Sequence, residues 1–178
     1  MWKARRLRFI RWGKSKMDEI FWIKSNPPVR LAIVLRPPGG NELHDAMQRI
    51  KQAGIRTLVS LLEPHEDELL GLTEESHIAE EIGLHFLNYP ISDTKVPHDV
   101  AHFRAFVSGL ADRLRSGESV GIHCRGCIGR ATILAACILM HMGLKPMDAV
   151  VAVEAARGCT VPDNSEQLSW ILHYKVHP

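Results

Sequence analysis

Residues 119–143 read SVGIHCRGCIGRATILAACILMHMG. The opening SVGIH is a short apolar run suited to a strand, and RATILAACILMHMG is an apolar helical stretch that Gly143 ends. A strand that passes through so short a loop into a buried helix is a building unit of an α/β fold. Outward from this unit the same alternation continues. RLAIVLRP from Arg30 reads as a strand, with Asn41 as the cap of a helix ELHDAMQRIKQAG that Gly54 stops. IRTLVSLL is a buried-strand candidate, LTEESHIAEEIG a helix and LHFLNYP a strand. From His98 to Arg115, the spacing of Val100, Phe103, Phe106, Val107, Leu110 and Leu114 fits one face of a long helix. Pro146 suits the first turn of MDAVVAVEAARG, and Asn164 with Gln167 three residues on suits a capping pair for SEQLSWILHYK. The expectation is an α/β fold: a central twisted, mostly parallel sheet flanked by helices.

Composition sets the frame. The chain has 178 residues, 46% of them hydrophobic, which is enough for one domain with a proper core. Residues 1–16, MWKARRLRFIRWGKSK, hold seven Lys or Arg and no acid, while the rest of the chain carries 15 basic and 20 acidic side chains. Residues 1–16 therefore read as a basic N-terminal extension and 17–178 as a single domain. With Trp2, Phe9 and Trp12 among its charges, the extension has the composition of a membrane-surface segment, but a solvated extension is the expected reading. No apolar run approaches the roughly 20 residues that span a bilayer. Four cysteines, Cys124, Cys127, Cys137 and Cys159, do not form a disulfide framework in a chain this long. Reduced thiols, a cytoplasmic location and a monomer without nucleic-acid partners are the expectations.

Chemistry concentrates in the loop HCRGCIGR, His123 to Arg130. At the N-terminus of a helix, successive backbone N–H groups and the helix dipole favour an anion. Gly126 and Gly129 let the backbone curl close to it. Cys124 sits at the mouth of this positive field, where a thiol pKa falls and the thiolate becomes a nucleophile. His123 helps hold the loop, and Arg130 supplies a planar fork for two phosphate oxygens. Nucleophile and clamp in one loop support phosphoryl transfer to cysteine followed by hydrolysis.

His123, Cys124 and Arg130, with Gly126 and Gly129 between, resemble the phosphate-binding loop of the cysteine-based protein tyrosine phosphatases. The wider pattern is most similar to their dual-specificity branch. That branch carries a general-acid aspartate about thirty residues before the cysteine, and YPISDTKVP places Asp93 there. The resemblance runs from about Met17 to His173. It implies attack by Cys124, phosphate binding by Arg130 and the loop, and proton donation by Asp93, with no metal or cofactor. It also implies a water-positioning glutamine, for which Gln167 is the candidate, unless Gln167 serves only in the helix cap. The implied substrate is a phosphorylated protein or other phosphomonoester, phosphotyrosine first and phosphoserine or phosphothreonine beside it.

Two positions depart from the family pattern. Ala131 stands where a Ser or Thr hydroxyl usually stabilises the departing thiolate, with Thr132 one position on. Cys127 stands where many relatives have glycine; it is either a small residue packed under the loop or a redox partner that traps oxidised Cys124 as a disulfide. Arg125 adds positive charge beside the nucleophile or is a solvated residue. Ile128 breaks the paired-lysine pattern of phosphoinositide phosphatases. Lys95, His98, Arg104 and Arg36 are read as ordinary surface charge.

Other classes explain less. A zinc site needs a second ligand pair, and Cys137 and Cys159 are isolated. A thiol redox protein would leave Gly129, Arg130 and Asp93 unexplained, and a sulfurtransferase commonly has a loop of different length. A phosphate-recognising pseudophosphatase, a binding module that keeps the cradle without turnover, stays open because of Ala131.

Overall fold

Five strands pair in the order β1-β2-β5-β3-β4: β1 (Ile20–Trp22), β2 (Leu31–Val34), β3 (Thr57–Ser60), β4 (His85–Asn88) and β5 (Val120–His123). The computed structural model describes residues 20–25 and 28–177. The basic extension, residues 1–16, lies outside the described residues. All neighbours are parallel except β1, which runs antiparallel to β2 at the edge. Seven α-helices accompany the sheet among the described residues: α1 (Leu43–Gln52), α2 (Pro64–Leu70), α3 (Glu75–Glu81), α4 (Val100–Arg115), α5 (Arg130–His141), α6 (Pro146–Arg157) and α7 (Ser165–His173). The mostly parallel sheet flanked by helices is as expected.

The three central strands are buried along their whole length, as parallel strands covered on both faces must be. Alternate residues divide between two cores. Leu31, Ile33, Val59, Val120 and Ile122 face the core shared with α4 to α7, while Ala32, Val34 and Leu58 face the one shared with α1 and α3. The α4 stripe of Phe103, Val107, Leu110 and Leu114 is buried as its spacing required. Helix α5 is buried from Arg130 to Met140, which is why it is apolar all round. Gly143, at φ 101°, takes the left-handed turn after it.

Three local expectations change. Asn41 does not cap α1: residues Gly40–Glu42 form a 3-10 turn, and Glu42 precedes α1 with no side-chain cap bond. The edge strand β1 and the helix α2 were not read from sequence. Helix α2 starts with Pro64 and a reciprocal cap between Glu63 and Glu66, but its residues PHEDELL lack an apolar stripe. Pro146 does occupy the first turn of α6, and Asn164 does cap α7.

The carboxyl edge of the sheet is where the segments that matter converge. β5 leads into the loop at Cys124, β3 into Leu61–Glu66, and β4 into the segment that carries Asp93. Backbone bonds join these exits: Leu61 N–H donates to His123 O at 3.1 Å, and Ile91 N–H to Leu61 O at 3.2 Å.

Candidate active site

His123 ends β5, and Arg130 begins α5, so the six residues between them wrap around the N-terminus of a buried helix. Cys124 is 2% exposed at the centre of this wrap. Its Sγ accepts the Cys127 amide at 3.2 Å. The neighbouring Cys127 thiol pulls the Cys124 pKa down to about 6 against its burial, with further help from the Arg130 charge and the Ala131 and Cys127 amides. Much of Cys124 is therefore thiolate at neutral pH.

Cys127 makes this arrangement possible through its backbone. Its φ of 55° lies in the left-handed region, where a side chain costs roughly 1 kcal/mol or more. The neighbours repay that strain. Arg157 on α6 donates from Nε to Cys127 O at 3.0 Å, while its guanidinium lies 4.2 Å over the Phe21 ring of β1. The Cys127 thiol points under the loop, its sulfur 3.1 Å from Val34 O and 3.2 Å from Cys124 O, so its single S–H is shared among the acceptors around it. Hydrogen bonding to Cys124, together with burial, holds the Cys127 pKa well above the ordinary thiol range.

Arg130 is 1% exposed and gripped from behind. Its Nη1 and Nη2 meet Glu66 Oε2 and Oε1 at 2.6 and 2.9 Å, a bidentate pair that fixes the plane of the fork. Nη1 also donates to Ile91 O at 2.9 Å, and Nη2 lies 2.9 Å from Asp93 Oδ1. Nε carries none of these contacts. Burial pushes the Glu66 pKa up, but the Arg130 and Glu63 bonds outweigh it and keep Glu66 below its ordinary value.

Asp93 is half exposed, at 52%, on the segment between Pro90 and Pro97, and its Oδ1 accepts the Thr94 amide at 3.1 Å. Gln167 is buried: its backbone N–H meets the Asn164 cap at 2.9 Å, while its side-chain Nε2 donates to Lys95 O at 3.2 Å. The side chain thus takes no part in capping. Its Oε1 is buried with no hydrogen-bond partner among the described residues. A Cβ built on Gly129 would lie 2.7 Å from that oxygen, so Gly129 is required for Gln167 to approach the loop. Gly126 has no such neighbour within 4 Å, so the left-handed turn belongs to Cys127 and the close approach to Gly129.

Cys124, Arg130, Asp93 and Gln167 line one cleft of about 290 Å³, with Arg125, Gly126, Ile128 and Gly129 along its floor and rim. The structure brings these sequence candidates together. His123 lies behind the cleft rather than in it. The Thr132 hydroxyl donates back to Ile128 O and is not free to replace the hydroxyl that Ala131 lacks. Lys95, His98, Arg104 and Arg36 do not line the cleft. Sequence reasoning missed Glu66, Arg157 and Asp163, the last of which also lines the cleft; the paired Glu63 and Glu66 around Pro64 were the available signal for the first. Among the described residues, no group of three or more His, Cys, Asp or Glu is placed to hold a metal ion. All four cysteines are free thiols, and no described helix is long and apolar enough to cross a membrane.

The chain is similar to several known phosphatases. The 067L protein of Invertebrate iridescent virus 3 is 29% identical over 120 residues, 65% of this chain and 47% of the viral one, so this chain spans about half of that relative. Mouse protein tyrosine phosphatase type IVA 2 is 26% identical over 144 residues, covering 80% of each chain. Among solved structures, kinase associated phosphatase superposes with a TM-score of 0.78 at 19% identity, covering 85% of this chain and 90% of that one. Tk-PTP in its active form gives 0.67 at 26% identity, covering 86% and 93%. The family model described as the Swiss Army Knife protein, DSP-PTPase phosphatase domain, matches residues 22–170, and the chain belongs to that dual-specificity branch of the cysteine-based phosphatases.

Proposed function

We propose that residues 17–178 act as one cysteine-dependent phosphatase unit in which Cys124 attacks the phosphorus of a phosphoprotein ester. The observation that supports this most is the shared cleft: a depressed thiol, a clamp and a carboxyl group, with Arg130 Nη2 and Asp93 Oδ1 2.9 Å apart. In the first step the Cys124 thiolate forms the S–P bond as the P–O bond to the ester breaks. Arg130 and the loop amides of residues 125 to 130 hold the non-bridging oxygens. Asp93 delivers its proton to the departing phenoxide or alkoxide. In the second step Gln167 Oε1 orients a water whose oxygen forms a new P–O bond as Asp93 takes its proton, and the S–P bond breaks to release phosphate and the thiolate. Phosphotyrosine is the preferred substrate, with phosphoserine and phosphothreonine accepted.

Hydrolysis of para-nitrophenyl phosphate with EDTA present tests this reading. Cys124→Ser abolishes turnover, and Asp93→Ala lowers kcat by about 10²-fold or more. The competing binding module gains if reduced wild type does not hydrolyse the ester yet binds vanadate.

Cys127 acts as the resolving thiol of the same loop. Hydrogen peroxide converts the Cys124 thiolate to a sulfenic acid with loss of hydroxide; the Cys127 thiol then displaces water to form the disulfide. Thiol-reversible inactivation that survives in Cys127→Ser argues against this role. The protein acts as a cytoplasmic monomer; sedimentation and cell fractionation check both points.

A further inference from the structure

Directly behind the nucleophile lies a second buried ion pair that the reaction scheme leaves unused. His123 is fully buried, and its Nε2 sits 3.0 Å from Oε1 of Glu75, the first residue of α3, itself 2% exposed. Apart from this 3.0 Å contact, no other group among the described residues bonds to the ring nitrogens or the carboxylate oxygens. Two groups that both lose their water in this way persist only by compensating each other. The groups that face His123 are Glu75 from α3, Asp67 from α2 and Cys124 from its own loop. All three are acids. Asp67 shares with Glu75 a cleft of about 320 Å³, with Thr73, Ser76 and Asn88 also on its walls. On the other side of Cys124, Arg130 already divides its charge between Glu66 and Asp93.

We propose that Glu75 is a positioning residue for the nucleophile: from behind the loop, its carboxylate keeps the His123 ring charged and fixed so that the ring steadies the Cys124 thiolate. This rests on the assignment of Cys124 as nucleophile. The electrostatics follow from the geometry. Burial alone would drive the His123 pKa down and strip its proton, but Glu75 outweighs burial, aided by Cys124 and Asp67, and raises it. Burial and the nearby charge of Glu75 raise the Asp67 pKa, so Asp67 holds its own charge less readily than an exposed aspartate, and the direct contact to the ring is made by Glu75. Because His123 lies outside the substrate cleft, its charge stays with the thiolate when Arg130 turns to the incoming phosphate.

The test measures iodoacetamide alkylation of Cys124, located by mass spectrometry, from pH 4.5 to 9, in wild type, Glu75→Gln and Asp67→Asn. Glu75→Gln moves the alkylation midpoint up by about one pH unit. The rate at pH 6 then falls about fivefold, as thiolate drops from about half to about a tenth. kcat/KM falls in parallel at pH 6 and recovers toward wild type at pH 8. Asp67→Asn moves the midpoint less than Glu75→Gln does, because the ring's ion pair is with Glu75 and Asp67 acts on it only at longer range. A lower melting temperature with an unmoved midpoint in Glu75→Gln would assign the pair a purely structural role and overturn the proposal. Should that variant not fold, ¹⁵N NMR of the wild-type His123 ring decides: both nitrogens protonated at pH 7 supports the proposal, and a neutral ring overturns it. Alkylation reads the thiol without turnover, so retained hydrolysis in Cys124→Ser would mark failure of the nucleophile assignment instead.

Discussion

From His123 to Arg130 the chain is anchored by β2, α2 and α6: Val34 O takes the Cys127 thiol, Glu66 takes the Arg130 fork, and Arg157 holds the Cys127 carbonyl. From Ile91 to Val96 the contacts are fewer and nearer the surface. Asp93 is tied to Arg130 and its own next amide, and the carbonyls of Thr94 and Lys95 receive Asn164 Nδ2 and Gln167 Nε2 at 3.0 and 3.2 Å. The difference matches the two tasks. A nucleophile and clamp must be fixed before substrate arrives, while an acid must reach a leaving group and then a water. Stability and activity are therefore joined in the first loop and separable in the second.

Glu66→Gln should hit both properties hardest. It leaves the buried Arg130 without its bidentate partner, at a cost of about 3 kcal/mol and a melting temperature lower by roughly 6–12 °C, with activity falling alongside. Glu66 has a folded pKa below its ordinary 4.5, so its contribution is present above the unfolded value and is lost as pH falls through the folded one. The stability gap between wild type and variant should accordingly close in acid, which thermal melts from pH 7 down to 3 would show. Asp93→Asn should instead lower kcat about 10²-fold while moving the melting temperature by roughly 1 °C, since Asp93 is half exposed and Arg130 keeps its buried partner Glu66. A large loss of stability there would collapse the distinction between the loops.

Ala131→Ser probes the rigid loop from within. Rapid mixing should show a burst of product in wild type, because no hydroxyl at 131 or 132 is available to the departing thiolate. The serine should raise the steady-state rate about tenfold and remove the burst, through one hydrogen bond to a charged sulfur. Asn164→Ala is the mildest change: loss of the α7 cap costs about 1 kcal/mol and frees the Thr94 carbonyl, with kcat reduced a few-fold. Melts and steady-state kinetics together would show whether the acid loop tolerates this loosening.

The contiguous features were legible in the sequence because their determinants lie side by side. His123 to Arg130 is one uninterrupted loop, and the strand and helix around it announce themselves by apolar runs. Asp93 was found through its distance from Cys124 in a resemblance, not through any local pattern. Partners that meet only in space were not legible. Glu66 and Glu75 lie in an acidic stretch where every carboxylate looks solvated; only the folded chain separates these two, buried beside Arg130 and His123, from exposed neighbours such as Glu68. Helix α2 was hidden for the same reason, and β1 because a three-residue edge strand leaves too short a pattern. Cys127 shows the opposite error: glycine was expected to carry the turn, and a cysteine does so because its thiol and carbonyl are both anchored.

The contacts that surround the Arg130 guanidinium also have an entropic meaning. A free arginine side chain gives up as much as ~2 kcal/mol of rotamer freedom when it is immobilised on a ligand. Here Glu66 and the Ile91 carbonyl have already removed most of that freedom during folding. A phosphate dianion entering the cleft meets a side chain with little motion left to lose, so more of each new hydrogen bond appears as affinity for the anion and for the transition state that follows it.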